Sequence, residues 1–404
     1  MRIQRRTAAV RRRSPRTGCL SFWMMMLMVG GIAVVSRSWW ASQVSSPGSV
    51  GTASLSDAHA AFQQGDLARA IAITEQLLAT NPRDTGALTL HVRARIYHSY
   101  TDFGQEKERL LAYQVTQQAL GRSSTQVDTM AIHAFAAQAN NYHDEAKRYA
   151  LRAIERDQTH IVARLALALA YSSTGLFEAG LREADKAVAL AEQYHPDWRW
   201  DAMRVRAIAL SALGRWDAAL TEIDRAIQHH KRLPAGYYEK ALYALQVGNG
   251  DVATSAYFSV LALDAGNVKA RYRLCELSSS MREYEAAIQY CTEVTERRPE
   301  WAEGWYQLGR EYFLQGNLRA AQQSLQRCTS LQVSQNVPVA ERRFECWYIQ
   351  GQAAEILGDC AALVPLYNQY LSMERTARLP QSWVYPPEGP AICITPTPAH
   401  EARP

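Results

Sequence analysis

Small side chains recur along most of the chain at intervals of about 34 residues, a period typical of stacked helical units. The first series is Ala58, Val92, Ala134, Ala168, Ala207, Ala241, Cys275, Gly309 and Gly351, and five of its eight intervals have this length. The second series follows the first and is Ala70, Ala112, Ala146, Gly180, Ala219, Ala253, Ala287 and Ala321, with Leu363 in the last unit. Two antiparallel helices approach closely only where the contact residues are small. The pattern therefore predicts nine helix–turn–helix units.

The turns between the paired helices carry residues that suit a left-handed or turn conformation. Examples are Gly65-Asp66, Gly316-Asn317 and Gly358-Asp359, and glycine, asparagine and aspartate are the usual residues at such positions. Three intervals are longer than the others because of insertions near residues 97–104, 193–200 and 330–338. Insertions in repeat arrays map to loops, so we expect these three segments to form loops at the edge of the array. The aromatic segment 193–200 is the best candidate among them for contact with another molecule.

One stretch identifies the type of repeat. Residues Trp305 to Tyr312 read W-x2-L-G-x2-Y, and this resembles the opening of the tetratricopeptide repeat (TPR). The resemblance implies an all-α fold, a right-handed α-solenoid of about nine TPR units over residues 55–375. It further implies that the first helix of each unit lines the concave face, where this family usually binds peptides or helices.

The N-terminal region combines positive charge with an apolar run. Residues 1–18 contain seven arginines and no acidic residue, and residues 19–35 contain no charged residue. We expect a cytoplasmic tail over 1–18, a transmembrane signal anchor over 19–41 and a flexible Ser/Gly-rich linker over 42–54. The arginines favour a cytoplasmic N-terminus and an extracytoplasmic array in a single-pass cell-membrane protein. The alternative is a cleaved signal and a secreted protein.

The arginine-rich tail also accounts for the net charge of +5. Since its seven positive charges are unopposed, the rest of the chain carries a net charge of −2. We therefore expect no nucleic-acid partner. At the other end, residues 376–404 contain seven prolines, which predicts a disordered or extended tail.

Motifs that carry chemistry are missing from the sequence. It contains no HExxH, GxSxG, GxxxxGK[ST], GxGxxG or CxxC, the patterns typical of several hydrolases, nucleotide-binding folds and metal sites. We therefore expect no enzyme activity, no cofactor and no metal site.

Six of the seven cysteines lie in the last third of the chain: Cys275, Cys291, Cys328, Cys346, Cys360 and Cys393. In an extracytoplasmic compartment they can form disulfides. Cys275 faces Cys291 across one unit, and Cys328 with Cys346 would join neighbouring units, which leaves Cys360 with Cys393. Six cysteines allow fifteen pairings, and buried free thiols are the alternative.

One inward-facing position of the TPR pattern holds a tyrosine in each of the last four units: Tyr238, Tyr272, Tyr306 and Tyr348. Together with Arg310 they form the predicted peptide-binding groove, since tyrosine offers a large contact area. The Lys and Asn residues of carboxylate-clamp TPRs are absent. These features favour a membrane-anchored scaffold that binds a protein or peptide partner. The alternatives are a sensory ectodomain for a small molecule or envelope polymer, and an accessory subunit of an enzyme complex.

Overall fold

The computed structural model describes residues 54–379 and 382–394. Over these residues it is built from α-helices and short 3-10 turns, without a β-strand. The helices are α1 (Leu55–Gln63), α2 (Leu67–Thr80), α3 (Thr85–His98), α4 (Lys107–Arg122), α5 (Val127–Ala139), α6 (His143–Arg156), α7 (Ile161–Ser173), α8 (Phe177–Gln193), α9 (Arg199–Ala212), α10 (Trp216–His229), α11 (Pro234–Gln246), α12 (Gly250–Leu263), α13 (Val268–Ser280), α14 (Tyr284–Arg297), α15 (Ala302–Gln315), α16 (Leu318–Ser334), α17 (Glu345–Leu357) and α18 (Cys360–Thr376).

Consecutive helices pack in pairs, which we number as units 1 to 9. Each position of both small-residue series is buried, in agreement with the predicted helix pairs. Gly309 shows why the contact residues must be small, because an added Cβ atom would lie 2.6 Å from Leu325 Cγ on α16. The following turn is made by Gly316, whose φ of +85° is left-handed. The Asn317 side chain then caps α16 by accepting from the Ala320 N–H at 3.3 Å.

The array is curved, with the first helix of each unit on its inner side. First helices of most successive units touch one another, for example α5 with α7 and α7 with α9, whereas the second helices of successive units make no comparable contact among the described helices. In unit 1, the Phe62 carbonyl oxygen lies 3.2 Å from His230 Nε2 at the end of unit 5. The curvature of the array therefore brings unit 1 into contact with unit 5.

The interior of this bend is filled by side chains of units 1 to 5. Arg93 on α3 forms a buried ion pair with Asp201 on α9, in which Nε lies 3.2 Å from Oδ1. The Tyr97 hydroxyl donates a hydrogen bond to the same carboxylate. Trp200 is 2% exposed and packs edge-on against Tyr97, with ring centroids 4.6 Å apart. The pair and its aromatic neighbours therefore join helices of units 2 and 5, which are far apart in sequence.

The insertion at residues 193–200 does not lie where the sequence predicts. The sequence predicts that the insertion at 193–200 forms a loop on the edge of the array, but the C-terminal part of the insertion turns inward. Trp198 stacks on the Arg93 guanidinium at 4.4 Å, and the Asp197 carbonyl accepts from Arg93 Nη2 at 2.9 Å. The physical reason is the buried Arg93 charge, which needs acceptors that its own helix does not supply.

Units 6 to 9 carry three disulfides. They join Cys275 to Cys291, Cys328 to Cys346 and Cys360 to Cys393, with Cα–Cα distances of 5.4, 6.1 and 5.4 Å. The first links α13 to α14 within unit 7, the second links α16 to α17 between units 8 and 9, and the third links α18 to the C-terminal segment. These are the three pairs that the sequence reasoning named.

The described part of the proline-rich tail, residues 382–394, lies against unit 9. Trp383 is 6% exposed, and the Tyr385 hydroxyl donates to Glu355 Oε2 at 2.6 Å. The sequence predicts a disordered or extended tail, and in this segment aromatic side chains and Cys393 hold a largely irregular backbone against α17 and α18. Whether residues 395–404 are extended lies outside the described residues.

Within residues 54–379 and 382–394, no helix combines the length and the apolar character needed to cross a membrane. The predicted cytoplasmic tail (1–18), signal anchor (19–41) and all but the last residue of the linker (42–54) lie outside the described residues.

Candidate peptide-binding surface

The four predicted groove tyrosines lie on the inner helices of units 6 to 9, one on each of α11, α13, α15 and α17. We call them the tyrosine row (Tyr238, Tyr272, Tyr306 and Tyr348). The structure gives them different surroundings. Two are covered by a loop from unit 2, one lies beside a salt-bridge network, and one is covered by the C-terminal segment.

The loop that covers Tyr238 and Tyr272 is residues 99–106, between α3 and α4, which we call the inserted loop. The Tyr238 hydroxyl lies 3.4 Å from the Thr101 carbonyl oxygen, and the Phe103 ring packs edge-on against Tyr272 with centroids 5.7 Å apart. The sequence predicts that the insertion near 97–104 lies at the edge of the array. This expectation is wrong, because the curvature of the array carries the loop to the inner side of units 6 to 8.

Tyr306 lies beside an ion-pair network that connects units 7, 8 and 9. The Arg343 guanidinium stacks on the Tyr306 ring at 4.7 Å and forms two hydrogen bonds with Glu303, at 3.0 and 2.7 Å. Glu303 also accepts from the Tyr272 hydroxyl at 3.1 Å. This network fixes the orientation of Tyr272 and Tyr306 relative to each other.

Arg310 lies one helical turn beyond Tyr306 on α15. Its guanidinium pairs with Glu311 at 3.0 Å and its side chain stays 39% exposed. Glu311 itself is fully buried, and burial raises the pKa of its carboxyl group. The Arg310 side chain is thus anchored at one edge and open to a ligand.

Tyr348 is covered by Trp383 of the C-terminal segment, whose ring centroid lies 5.6 Å away. The indole also packs on Tyr367 and Tyr370, each at 5.3 Å. Close approach is possible because residue 351 is glycine, where a Cβ atom would lie 2.0 Å from the indole. The last member of the tyrosine row therefore has an internal partner.

Beyond the tyrosine row, the same inner faces expose apolar side chains. Leu242, Leu245, Leu314 and Ile356 are 49, 39, 46 and 63% exposed. They follow the tyrosines of their helices by four, seven or eight residues, spacings that keep side chains on one helical face. We call these four residues the exposed apolar row. No residue of α13 belongs to this row, so its members lie on three of the four inner helices of units 6 to 9.

Comparison with known proteins now assigns the type of repeat. Residues 302–332, which span α15 and most of α16, match the tetratricopeptide repeat family. The array has a tetratricopeptide fold. Among solved structures, the chain resembles a Cut9–Hcn1 hetero-tetramer of the APC/C, with a TM-score of 0.52 and 14% identity over 74% of this chain and 55% of that one. The chain thus spans about half the length of that protein.

A second similar structure is the C-terminal part of a TPR repeat-containing protein from Cytophaga hutchinsonii. The TM-score is 0.51 at 13% identity, covering 61% of this chain and 96% of the other. At these identities the likeness shows the fold alone. A search of curated proteins finds no match.

The inner face of the tetratricopeptide array includes residues that the sequence reasoning missed. Asn267, Lys269 and Trp301 contact the inserted loop, and Trp383 contacts Tyr348. Asn267 and Trp301 are the residues directly before α13 and α15, so their equivalent positions in the two units were a usable signal. Burial lowers the pKa of Lys269 to about 8.

Within the described part of the chain, no group of three or more His, Cys, Asp or Glu side chains is arranged to hold a metal ion.

Proposed function

We propose that this protein is a membrane-anchored scaffold whose tetratricopeptide array lies on the extracytoplasmic side, binds a protein or peptide partner and catalyses no reaction. The observation that carries the binding proposal is the exposed apolar row, which lies on the inner helices α11, α15 and α17, with Tyr306 and Arg310 on α15. Aromatic and arginine side chains are enriched at protein interfaces, and a groove lined by apolar side chains suits an amphipathic helix or an extended apolar segment.

Two other observations support the proposed membrane anchor and the extracytoplasmic position of the array. Seven arginines in residues 1–18 precede the uncharged run over residues 19–35, a pattern that holds the N-terminus in the cytoplasm. All six cysteines of the described residues are joined in disulfides, and disulfides persist in oxidising compartments outside the cytoplasm.

The binding proposal is tested by partner recovery from detergent-solubilised membranes of the protein's own cells. We expect wild type to retain a partner that the double variant Leu242→Asp/Leu314→Asp loses, because a carboxylate in the apolar contact must be desolvated on binding. The control is Val333→Asp on α16, whose side chain is 50% exposed and lies on a second helix. Equal recovery with the double variant and the control would contradict the proposed surface.

Topology is tested separately with a Gln64→Cys variant, since Gln64 is exposed in unit 1, far along the chain from the disulfides. We expect a small membrane-impermeant maleimide to label it in intact cells. Labelling only after the membrane is permeabilised would contradict the extracytoplasmic orientation.

A further inference from the structure

The inserted loop, which is a series of turns, lies on units 6 to 8 as a bound peptide would lie in a binding site. Two of its backbone carbonyl groups are bound by side chains of α13 and the residue before it. Lys269 Nζ donates to the Tyr100 carbonyl at 2.9 Å, and Asn267 Nδ2 donates to the Thr101 carbonyl at 2.8 Å. Contacts to main-chain groups hold a peptide whatever its side chains are, and neighbouring pockets then select the side chains.

Two adjoining side chains of the loop occupy such pockets. Asp102 Oδ1 accepts from the Lys269 backbone N–H at 3.1 Å, in the first turn of α13, and its other oxygen lies 3.8 Å from Arg298 Nη2. The Phe103 ring lies against Trp301, with centroids 4.9 Å apart, and against Tyr272. The site thus selects a carboxylate followed by an aromatic ring.

The side chains that form the site are held in place by contacts that do not involve the loop. Asn267 Oδ1 accepts from the Ala270 N–H at 2.9 Å and from the Tyr238 hydroxyl at 2.8 Å. The Tyr272 hydroxyl is bound to Glu303. A site oriented by its own scaffold keeps its geometry when the ligand leaves, which reduces the entropy cost of binding a new one.

The loop is also suited to leave. It is bounded by the last residue of α3, His98, and the first residue of α4, Lys107, so the part of the loop that carries Asp102 and Phe103 belongs to neither helix. Gly104 has a φ of +78° with no atom within 4 Å of an added Cβ position, so one end of the loop stands clear of the array.

We propose that this surface is a recognition site for a peptide that carries Asp followed by an aromatic residue within a turn. The inserted loop is its internal ligand, and a partner segment of the same chemistry replaces it. This inference rests on the proposed scaffold function and names the chemistry of the partner.

The test measures binding of a fluorescent peptide that copies residues 97–106 to the full chain with its disulfides intact. The receptors are wild type, Asp102→Ala/Phe103→Ala and the milder Asp102→Ala, each checked for native helical content by circular dichroism. We expect the double variant to bind at least about ten-fold more tightly than wild type, with Asp102→Ala between them, because removal of the loop contacts frees the site.

Specificity is tested on the same double variant. A peptide with Asn-Ala in place of Asp-Phe should bind at least about ten-fold more weakly, and Trp301→Ala added to the receptor should have a similar effect. The inference is overturned if the Asp102→Ala/Phe103→Ala variant keeps its helical content but does not bind the peptide, if it binds the Asn-Ala peptide equally well, or if wild type binds the peptide as tightly as this variant does. Loss of the natural partner on Leu242→Asp/Leu314→Asp with no peptide binding would leave the scaffold function standing and reject this inference alone.

Discussion

Units 1 to 5 and units 6 to 9 are built from the same helix pair but are stabilised in different ways. The first group closes around a filled interior, where Arg93 and Asp201 are 3% and 0% exposed and lie among aromatic rings. The second group contains all three disulfides and keeps apolar side chains exposed on its inner helices. An interior that is already filled has no room for a peptide. This difference is the reason that we propose partner binding by the second group.

The histidines and the cysteines are also divided between these two groups of units. Nine of the ten histidines lie between residues 59 and 230 and the tenth is His400, whereas the six disulfide-bonded cysteines lie between 275 and 393. Burial lowers the pKa of His59, His91, His98, His133 and His230. Acid should therefore loosen units 1 to 5, and a reductant should loosen units 6 to 9.

The largest effect is expected from Asp201→Asn. It leaves the Arg93 guanidinium buried without its carboxylate, and breaking a buried pair in this way costs about 3–5 kcal/mol. We expect faster hydrogen exchange in α3 and α9. The control Asp251→Asn removes an exposed carboxylate on α12 and should cost about 0.5 kcal/mol. Equal exchange in the two variants would show that the buried pair does not hold units 1 to 5 closed.

The next effect is expected from Cys328→Ser/Cys346→Ser, which removes the bond between units 8 and 9. A disulfide contributes about 2–4 kcal/mol, so exchange in α15 to α18 should accelerate while exchange in α1 to α10 stays unchanged. Reductant, which also opens the other two disulfides, should extend the acceleration to α13 and α14 in wild type. Thiol counting of native protein by mass spectrometry should find none of the six cysteines free, and six free thiols would refute this part of the comparison.

The smallest effect is the pH dependence of units 1 to 5. Burial, with the Arg95 charge beside it, lowers the pKa of His91 to about 4. The unfolded chain, with a histidine pKa near 6.5, then binds the proton more readily than the folded one. His91 thus contributes stability above about pH 6.5 that is lost as the pH falls to about 4.

We expect the urea midpoint to fall across that pH range and His91→Gln to flatten the dependence, at some cost in stability at neutral pH. His91 Nδ1 lies 2.9 Å from the Thr74 hydroxyl, and Nε2 accepts from Arg95 Nε at 2.8 Å, so the substitution also disturbs these bonds. His229→Gln, at an exposed position, is the control and should keep the wild-type pH profile. If the urea midpoint of His91→Gln falls with pH as steeply as that of wild type, His91 is not the cause of the pH dependence.

Much of the fold can be predicted from sequence because the helix contacts are local. The small residue at Gly309 and the turn at Gly316 act within one unit, so the repeated spacing is enough to predict the pair. The contact of the inserted loop with units 6 to 8 cannot be predicted from the repeated spacing. Thr101 meets Asn267 across 166 residues, and that contact depends on the curvature accumulated over several units.

The candidate site shows the same limit. The tyrosine row could be identified from its repeated position, but the partners of Tyr272 and Tyr348 come from outside the repeat pattern. Phe103 lies in an insertion and Trp383 in a proline-rich tail. The aromatic residues Trp383 and Tyr385 within that tail were the available signal that it packs on the array, since large aromatic side chains contribute much of the energy of such contacts.

The most direct test of the account is photo-crosslinking in native membranes with a photoreactive amino acid at one of three positions. Leu314, Val333 and Leu176 have closely matched exposures of 46, 50 and 49%. They lie on the inner helix of unit 8, on the second helix of unit 8 and in unit 4. We predict a crosslinked partner from Leu314 and none from Val333 or Leu176. A partner crosslinked from Leu176 or Val333 but not from Leu314 would contradict the assignment of binding to the inner face of units 6 to 9.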